Sequence, residues 1–156
     1  GGQIDGEANV NLVAAGGRRF PGSFGSAFMY FAARRTILFR EEHSRRVLVP
    51  RVDFVSAPGV SAPGVWRRGG PQALLTGMAL FVWQPQARRF RLASVHPGHG
   101  AASIREQTGF DYDADGAVPE TPIPDAEDLA LLRGPVAAEI APNYPEFARR
   151  VWGIGR

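Results

Sequence analysis

Residues 73–98 read Ala73-Leu74-Leu75-Thr76-Gly77-Met78-Ala79-Leu80-Phe81-Val82-Trp83-Gln84-Pro85-Gln86-Ala87-Arg88-Arg89-Phe90-Arg91-Leu92-Ala93-Ser94-Val95-His96-Pro97-Gly98, and the fold class turns on them. Ala73–Thr76, Ala79–Trp83 and Phe90–Val95 read as strands, short apolar runs bounded by turn residues. Pro85–Arg88 makes a hairpin-like link between the last two. Upstream, Thr36–Arg40, Val47–Val49 and Arg51–Val55 are strand-like, and Ile4–Ala15 suggests two short strands around a turn at Gly6–Asn9. Helical patterns lie outside this middle. One runs from a cap at Ser23 or Ser26 to about Arg35. Others cover Ala101–Gln107, stopped by Gly109 as a left-handed cap, Asp125 to about Arg133, and Pro145–Trp152. Strands in the middle with helices around them predict an α/β domain.

The 156 residues contain 18 arginines, no lysine and no cysteine. That removes Schiff-base and P-loop lysines, thiolate nucleophiles, cysteine-ligated metals and any disulfide framework. A hydrophobic core must hold the fold. No apolar stretch is long enough to span a bilayer, since Ala27–Ala33 is short and Ala73–Trp83 is broken by Thr76 and Gly77. No basic-apolar signal segment opens the sequence. A cytoplasmic protein without membrane partners is expected.

Charge is uneven. Residues 1–105 hold 14 Arg and 5 acids, 14 − 5 = +9, whereas residues 106–156 hold 4 Arg and 10 acids, 4 − 10 = −6. The arginines come mostly as pairs at turns and element ends (Arg18-Arg19, Arg34-Arg35, Arg45-Arg46, Arg67-Arg68, Arg88-Arg89) rather than along one face. A surface or interface role is therefore expected, and no nucleic-acid partner.

The strongest local motif is Pro21-Gly22-Ser23-Phe24-Gly25-Ser26-Ala27. Small residues let a backbone approach a ligand, and a following helix N-terminus aims N–H groups outward at a pyrophosphate or a developing oxyanion. Taken alone, the motif reads as a plain turn, and it matches neither nucleotide-binding fingerprint. His96, ending a strand before Pro97-Gly98, is placed where functional residues occur; His99 and His43 complete the histidines. A Ser23–His96–Asp53 triad is conceivable on paper but lacks a nucleophile elbow. Metal-ligand spacing is absent, so no metal is expected. Asp111–Gly116 lacks a glutamate at the twelfth position of a calcium loop, where Pro122 stands. Asp53, read inside a strand, calls for an arginine partner if buried.

The order of these segments resembles the small (β) subunit of family I CoA-transferases, of the glutaconate and 3-oxoacid type. The matching residues are Gly2-Gln3-Ile4-Asp5 with Asn9-Val10-Asn11, the Gly22–Ala27 loop with its helix, and Arg35-Thr36-Ile37-Leu38 leading to Glu42-His43-Ser44. They continue with Arg51-Val52-Asp53-Phe54-Val55-Ser56-Ala57-Pro58-Gly59, Ser94-Val95-His96-Pro97-Gly98 and Ile104-Arg105-Glu106-Gln107-Thr108-Gly109-Phe110. The likeness runs from about Gly2 to Arg133.

The resemblance implies a mixed sheet flanked by helices, with residues 1–133 as a CoA-transferase-like domain lacking its N-terminal part and residues 134–156 as a helical tail. In such enzymes a glutamate carboxylate attacks an acyl-CoA thioester, giving an acyl–enzyme anhydride and then an enzyme–CoA thioester, while backbone N–H groups stabilise the oxyanion. Gly22, Ser23, Phe24, Gly25, Ser26 and Ala27 are the implied substrate-binding and oxyanion residues, with donors near Gly25-Ser26, and His96 is expected near the site. The nucleophilic glutamate of the family lies upstream of the segment matching Gly2–Asn11 and has no counterpart here; Glu7 falls in the wrong segment. Met29 stands where the family tends to have Asn or Asp, and Ala8 where a turn glycine is usual. No tightly bound cofactor is implied, only a coenzyme A thioester as substrate. The implied partner is a homologous α-type subunit in a hetero-oligomer, with a separate chain as one source of the missing N-terminal part. Two alternatives share the scaffold: a ring-opening CoA-thioester hydrolase subunit, whose Gly-Ser-x-Gly loop matches Gly22-Ser23-Phe24-Gly25, and a non-catalytic structural subunit.

Overall fold

The computed structural model describes residues 2–154; Gly1, with the expectation that it begins inside a strand, and residues 155–156 lie outside them. The chain divides into two compact units, residues 1–121 and 122–156. The division falls at Thr121/Pro122, so the helix after Asp125 lies in the second unit.

The first unit is built on the expected hairpin. Four strands, β5 (Arg35–Arg40), β6 (Gly70–Thr76), β7 (Ala79–Gln84) and β8 (Arg89–Val95), form one sheet in that spatial order. β5 and β6 run parallel and the others antiparallel, so the sheet is mixed. Before it come two small hairpins, β1 (Gln3–Ile4) with β2 (Val10–Asn11), and β3 (Ala14–Ala15) with β4 (Arg18–Arg19). Helix α1 (Ser26–Ala32) leads into β5, and α2 (Ala101–Gln107) follows β8.

Period-two alternation decides which face of the sheet is covered. Leu38, Leu74, Phe81, Trp83, Phe90 and Leu92 point inward and are buried. Phe81 sits at the centre, its ring near those of Tyr112 (5.1 Å), His43 (6.0 Å), Phe90 (6.3 Å) and Phe110 (6.3 Å). Leu48 and Ile104 close the core.

Three expectations are corrected. Val47–Val49 and Arg51–Val55 are not strands. Leu48 makes only an isolated bridge to Ile4, and beyond Pro50 the backbone bonds to side chains instead: Val52 N–H to the Asp5 carboxylate (3.3 Å) and Asp53 N–H to Gln3 Oε1 (3.0 Å). Gly109 is not a left-handed cap. The α2 cap is Thr108 in extended conformation, and Gly109 is small because a Cβ there would collide with the Leu48 carbonyl, to which its own N–H donates at 2.8 Å. Neither Ser23 nor Ser26 caps α1. The cap position is Gly25, without a side-chain bond.

Asp5 organises the Gly6–Asn9 turn. Its buried carboxylate accepts from the N–H groups of Glu7 (3.1 Å), Asn9 (3.0 Å) and Val52 and from Asn9 Nδ2 (3.2 Å). Ala8 in this turn has φ +60°, a left-handed conformation that accounts for glycine being usual there. Ala57-Pro58-Gly59-Val60 and Ala62-Pro63-Gly64-Val65 repeat the same four residues in different roles. Gly59 of the first copy abuts the Glu7 carbonyl, whereas Gly64 of the second turns at φ +81° in open space.

The second unit is helical. Asp125 caps α3 (Ala126–Leu131) by accepting from Asp128 N–H at 2.8 Å. The helix then widens into a π turn over Leu132–Val136, where Pro135 lacks the N–H of a regular turn, and resumes as α4 (Ala137–Ile140). α5 (Pro145–Trp152) opens on proline and ends at left-handed Gly153, φ +68°.

Candidate functional site

The Gly22–Ala27 loop is exposed and sharply turned. Gly22 has φ +123°, and Phe24, a non-glycine, has φ +48° with its ring 85% exposed. Ser26 turns back on the loop: its N–H (3.0 Å) and its hydroxyl (2.5 Å) both donate to the Ser23 carbonyl. That commitment removes Ser26 N–H as a donor and leaves its neighbours, Gly25 and Ala27, as the outward candidates. Gly25 itself has φ −78°, which any residue adopts, and a Cβ there would meet only Met29 Cε at 3.9 Å. Nothing inside the chain requires glycine at position 25.

Two residues that sequence reading missed hold this loop and helix. Tyr30, buried in α1, donates its hydroxyl to the Ala8 carbonyl at 2.9 Å, tying the helix to the Asp5–Asn9 turn. Burial pushes its phenol well above the usual tyrosine range, so it stays a donor. Arg67 lies over the Tyr30 ring, 4.6 Å from its centroid, and donates to the carbonyls of Tyr30 (2.7 Å), Pro58 (2.7 Å) and Gly59 (2.9 Å). Arg67→Ala is expected to cost about 2 kcal/mol in denaturant unfolding and to expose the 56–69 loop to proteolysis. Arg67→Lys should rescue little, because an ammonium cannot serve the fork of carbonyls. Wild-type protease resistance in Arg67→Ala would contradict this positioning role.

His43 and His96 are held by neighbouring threonines. His43, buried, has Nδ1 2.8 Å from Thr76 Oγ1 and Nε2 2.9 Å from Thr108 Oγ1. The Thr108 hydroxyl donates to the Ile104 carbonyl at 2.7 Å, so it accepts from His43 Nε2–H. Nδ1 faces Thr76 Oγ1, whose one proton also has the Ala79 carbonyl within reach at 3.0 Å. His96, half-buried, has Nε2 3.0 Å from the Thr76 carbonyl, to which it donates, and Nδ1 2.8 Å from Thr121 Oγ1, itself 2.6 Å from Ser94 Oγ. One residue, Thr76, therefore touches both rings.

Burial lowers the His43 pKa from 6.5 to about 4, with the charges of His99 and His96 acting in the same direction. Between those values the unfolded chain binds a proton that the folded one refuses, so stability falls as pH drops from about 6.5 towards 4. The expected loss at pH 4.5 relative to pH 7 is about 2 kcal/mol. His43→Gln, neutral throughout, should flatten the dependence of the denaturant midpoint in that window; an unchanged slope would sink the assignment.

The structure does not assemble the Ser23–His96–Asp53 triad. Both His96 nitrogens are engaged as described, and the Asp53 carboxylate accepts from Gly16 N–H at 2.9 Å rather than pairing with an arginine or a histidine. Glu7 is exposed, within 3.4 Å of Asn9 Nδ2. Asp113 is structural, bound to Arg89 (3.1 Å) and Gln84 (2.7 Å). Among the described residues no three His, Asp or Glu side chains gather as a metal site, and no helix is long and apolar enough to cross a membrane.

Known proteins share both this sequence pattern and this geometry. The chain is 30% identical over 145 residues to the B subunit of glutaconate CoA-transferase from Acidaminococcus fermentans, covering 85% of this chain and 53% of that one. The crystal structure of that enzyme superposes with a TM-score of 0.73 over 86% of this chain and 55% of its own, at 29% identity.

The chain is similar in sequence and structure to CoA-transferase B subunits.

Rhodococcus jostii RHA1 IpdAB superposes similarly on this chain, with a TM-score of 0.74, 27% identity, and 85% and 56% coverage. The decarboxylase AibA/AibB follows with a TM-score of 0.69, 31% identity, and 84% and 52% coverage. No family model matches the sequence. The chain spans about half the length of the curated relatives it matches, 53% and 54%. The fold agrees with the expected α/β class, a mixed sheet with helices packed around it.

Proposed function

We propose that this chain is a B-type subunit of a CoA-transferase-like enzyme acting on acyl-CoA thioesters, and that Gly22–Ala27 is its contribution beside the thioester. The observation that carries the reading is Gly25: neither its φ of −78° nor its surroundings demand glycine, yet it opens an uncapped first helical turn on an exposed loop. A loop of this kind aims N–H groups at a developing oxyanion without a side chain in the way. The nucleophilic glutamate is supplied by polypeptide outside this sequence, and an A-type subunit completes the site. His96 acts at a distance, fixing the Thr76–Gly77 turn rather than exchanging protons with substrate. Residues 1–133 carry the transferase-like function and residues 134–156 serve as a helical appendage. The enzyme works in the cytoplasm, where coenzyme A thioesters are made and consumed, and coenzyme A enters as substrate rather than resident cofactor.

The test uses the complex with its A-type partner, an acyl-CoA and an isotopically tagged free acid. Appearance of tagged acyl-CoA supports transfer. The second reading, hydrolysis, is favoured by the Gly22-Ser23-Phe24-Gly25 sequence, and is read out as oxygen-18 from water entering the released acid without an acceptor. Release of carbon dioxide without acyl exchange would place the chain beside the decarboxylase relative instead. Failure of the complex to bind any CoA thioester would leave only a structural role.

A further inference from the structure

Folding gives no reason for a phenylalanine at position 24. Its φ of +48° lies in the left-handed region, where a bulky side chain is disfavoured and glycine is not. Its ring is 85% exposed, so the strain is not offset by burial. Glycine would suit the loop better on both counts. An aromatic residue held in such a conformation on an open loop marks a place where something other than stability sets the choice of residue.

The ordinary structural use of an apolar residue here would be a staple. Phe24 precedes the cap residue Gly25, and Met29 is the fourth residue of α1, the pair of positions that pack together to fix the entry of a helix. With Phe24 85% and Met29 62% exposed, the two are not a packed pair. Met29 turns to the glycine instead, its Cε 3.9 Å from where a Cβ of residue 25 would stand.

Gly25 N–H, an outward donor candidate, thus has an exposed phenyl ring on the preceding residue and a thioether methyl beside its own Cα. Residues 20–33 carry no charged side chain. A carbonyl bound at that N–H would bring its acyl group against a surface of ring and sulfur. Such a surface favours flat apolar groups, through ring stacking and sulfur–aromatic contact, and offers a carboxylate no partner for the water it would lose. We propose that Phe24, with Met29, is a specificity determinant that selects acyl groups apolar and planar next to the thioester carbonyl, the aromatic acyl-CoA class, over monothioesters of dicarboxylic acids. This assignment rests on the reading of Gly22–Ala27 as the loop beside the thioester.

The test compares kcat/KM for benzoyl-CoA and glutaryl-CoA in the complex with the A-type partner, with and without a free acid, following consumption of each thioester. The wild-type complex should prefer benzoyl-CoA at least ten-fold. Phe24→Gly should lower that preference at least ten-fold, without lowering the thermal midpoint, because glycine relieves the left-handed strain. Phe24→Leu, which keeps an apolar side chain, should retain part of the preference, and Met29→Asn should reduce it. A wild-type preference for glutaryl-CoA would overturn the proposal and point to Arg35, which lines the neighbouring groove with Met29. Equal losses with both thioesters in Phe24→Gly would also overturn it, leaving Phe24 to shape the loop alone. Turnover indifferent to the acyl group would end the selectivity while keeping the thioester reading; a complex that binds neither thioester would end that reading too.

Discussion

Phe81→Ala is expected to remove about 4 kcal/mol from the unfolding free energy, enough to leave a substantial part of the chain unfolded at room temperature. The magnitude follows from position. Phe81 is wholly buried, and four rings converge on it from three parts of the chain: Phe90 from the next strand, Phe110 and Tyr112 from the segment after α2, and His43 from the segment after β5. None of these can close the void alone, because Phe90 is held in turn by Trp83 at 5.1 Å and His43 by two threonine hydroxyls. The packing loss therefore comes with a cavity, the combination that makes core truncations expensive. Denaturant unfolding of Phe81→Ala beside Phe81→Leu measures it, with the leucine variant expected to recover about half. A loss under about 1 kcal/mol would mean that this cluster is not the centre of the fold.

Gly25→Val should have the opposite profile, about a hundred-fold loss of kcat/KM in the assembled enzyme with little change in stability. A Cβ at position 25 meets only Met29 Cε at 3.9 Å, and the φ of −78° needs no left-handed backbone, so the folding cost is expected to stay within about 1 kcal/mol. Removing oxyanion stabilisation commonly costs about 10²–10³ in rate. Gly22 makes a poorer test, since its φ of +123° would add strain to any substituted variant. Steady-state kinetics with an acyl-CoA and a free acid, run beside thermal unfolding, decides the matter. Full activity in Gly25→Val would remove Gly22–Ala27 from the site.

The parts of this architecture that could be read from sequence are those whose partners are near in sequence. Ala79–Gln84 alternates buried and half-buried at every position, so its period announces a strand. The glycine loop announces itself by composition. Arg51–Val55 misleads because its β-branched residues look like a ladder while its N–H groups go to Asp5 and Gln3, and nothing local signals a side chain some fifty positions away. Gly109 misleads similarly, since a glycine kept small for a carbonyl and a glycine kept for a left-handed turn look alike in sequence. The Tyr30–Arg67 clamp spans 37 positions and involves an arginine whose paired neighbour suggested a surface role. Of the candidate site, the loop stands out in the sequence and the Tyr30–Arg67 support does not. The nucleophile was not legible either, because no residue of this sequence matches the family glutamate.

The bare edge of β5 also bears on aggregation. Among the described residues no strand pairs with its outer side, and Ile37 and Phe39 on it are exposed, the combination that templates pairing between copies as concentration rises. Arg35 and Arg40 at the ends of the strand set like charges together in such a pairing and act as gatekeepers against it.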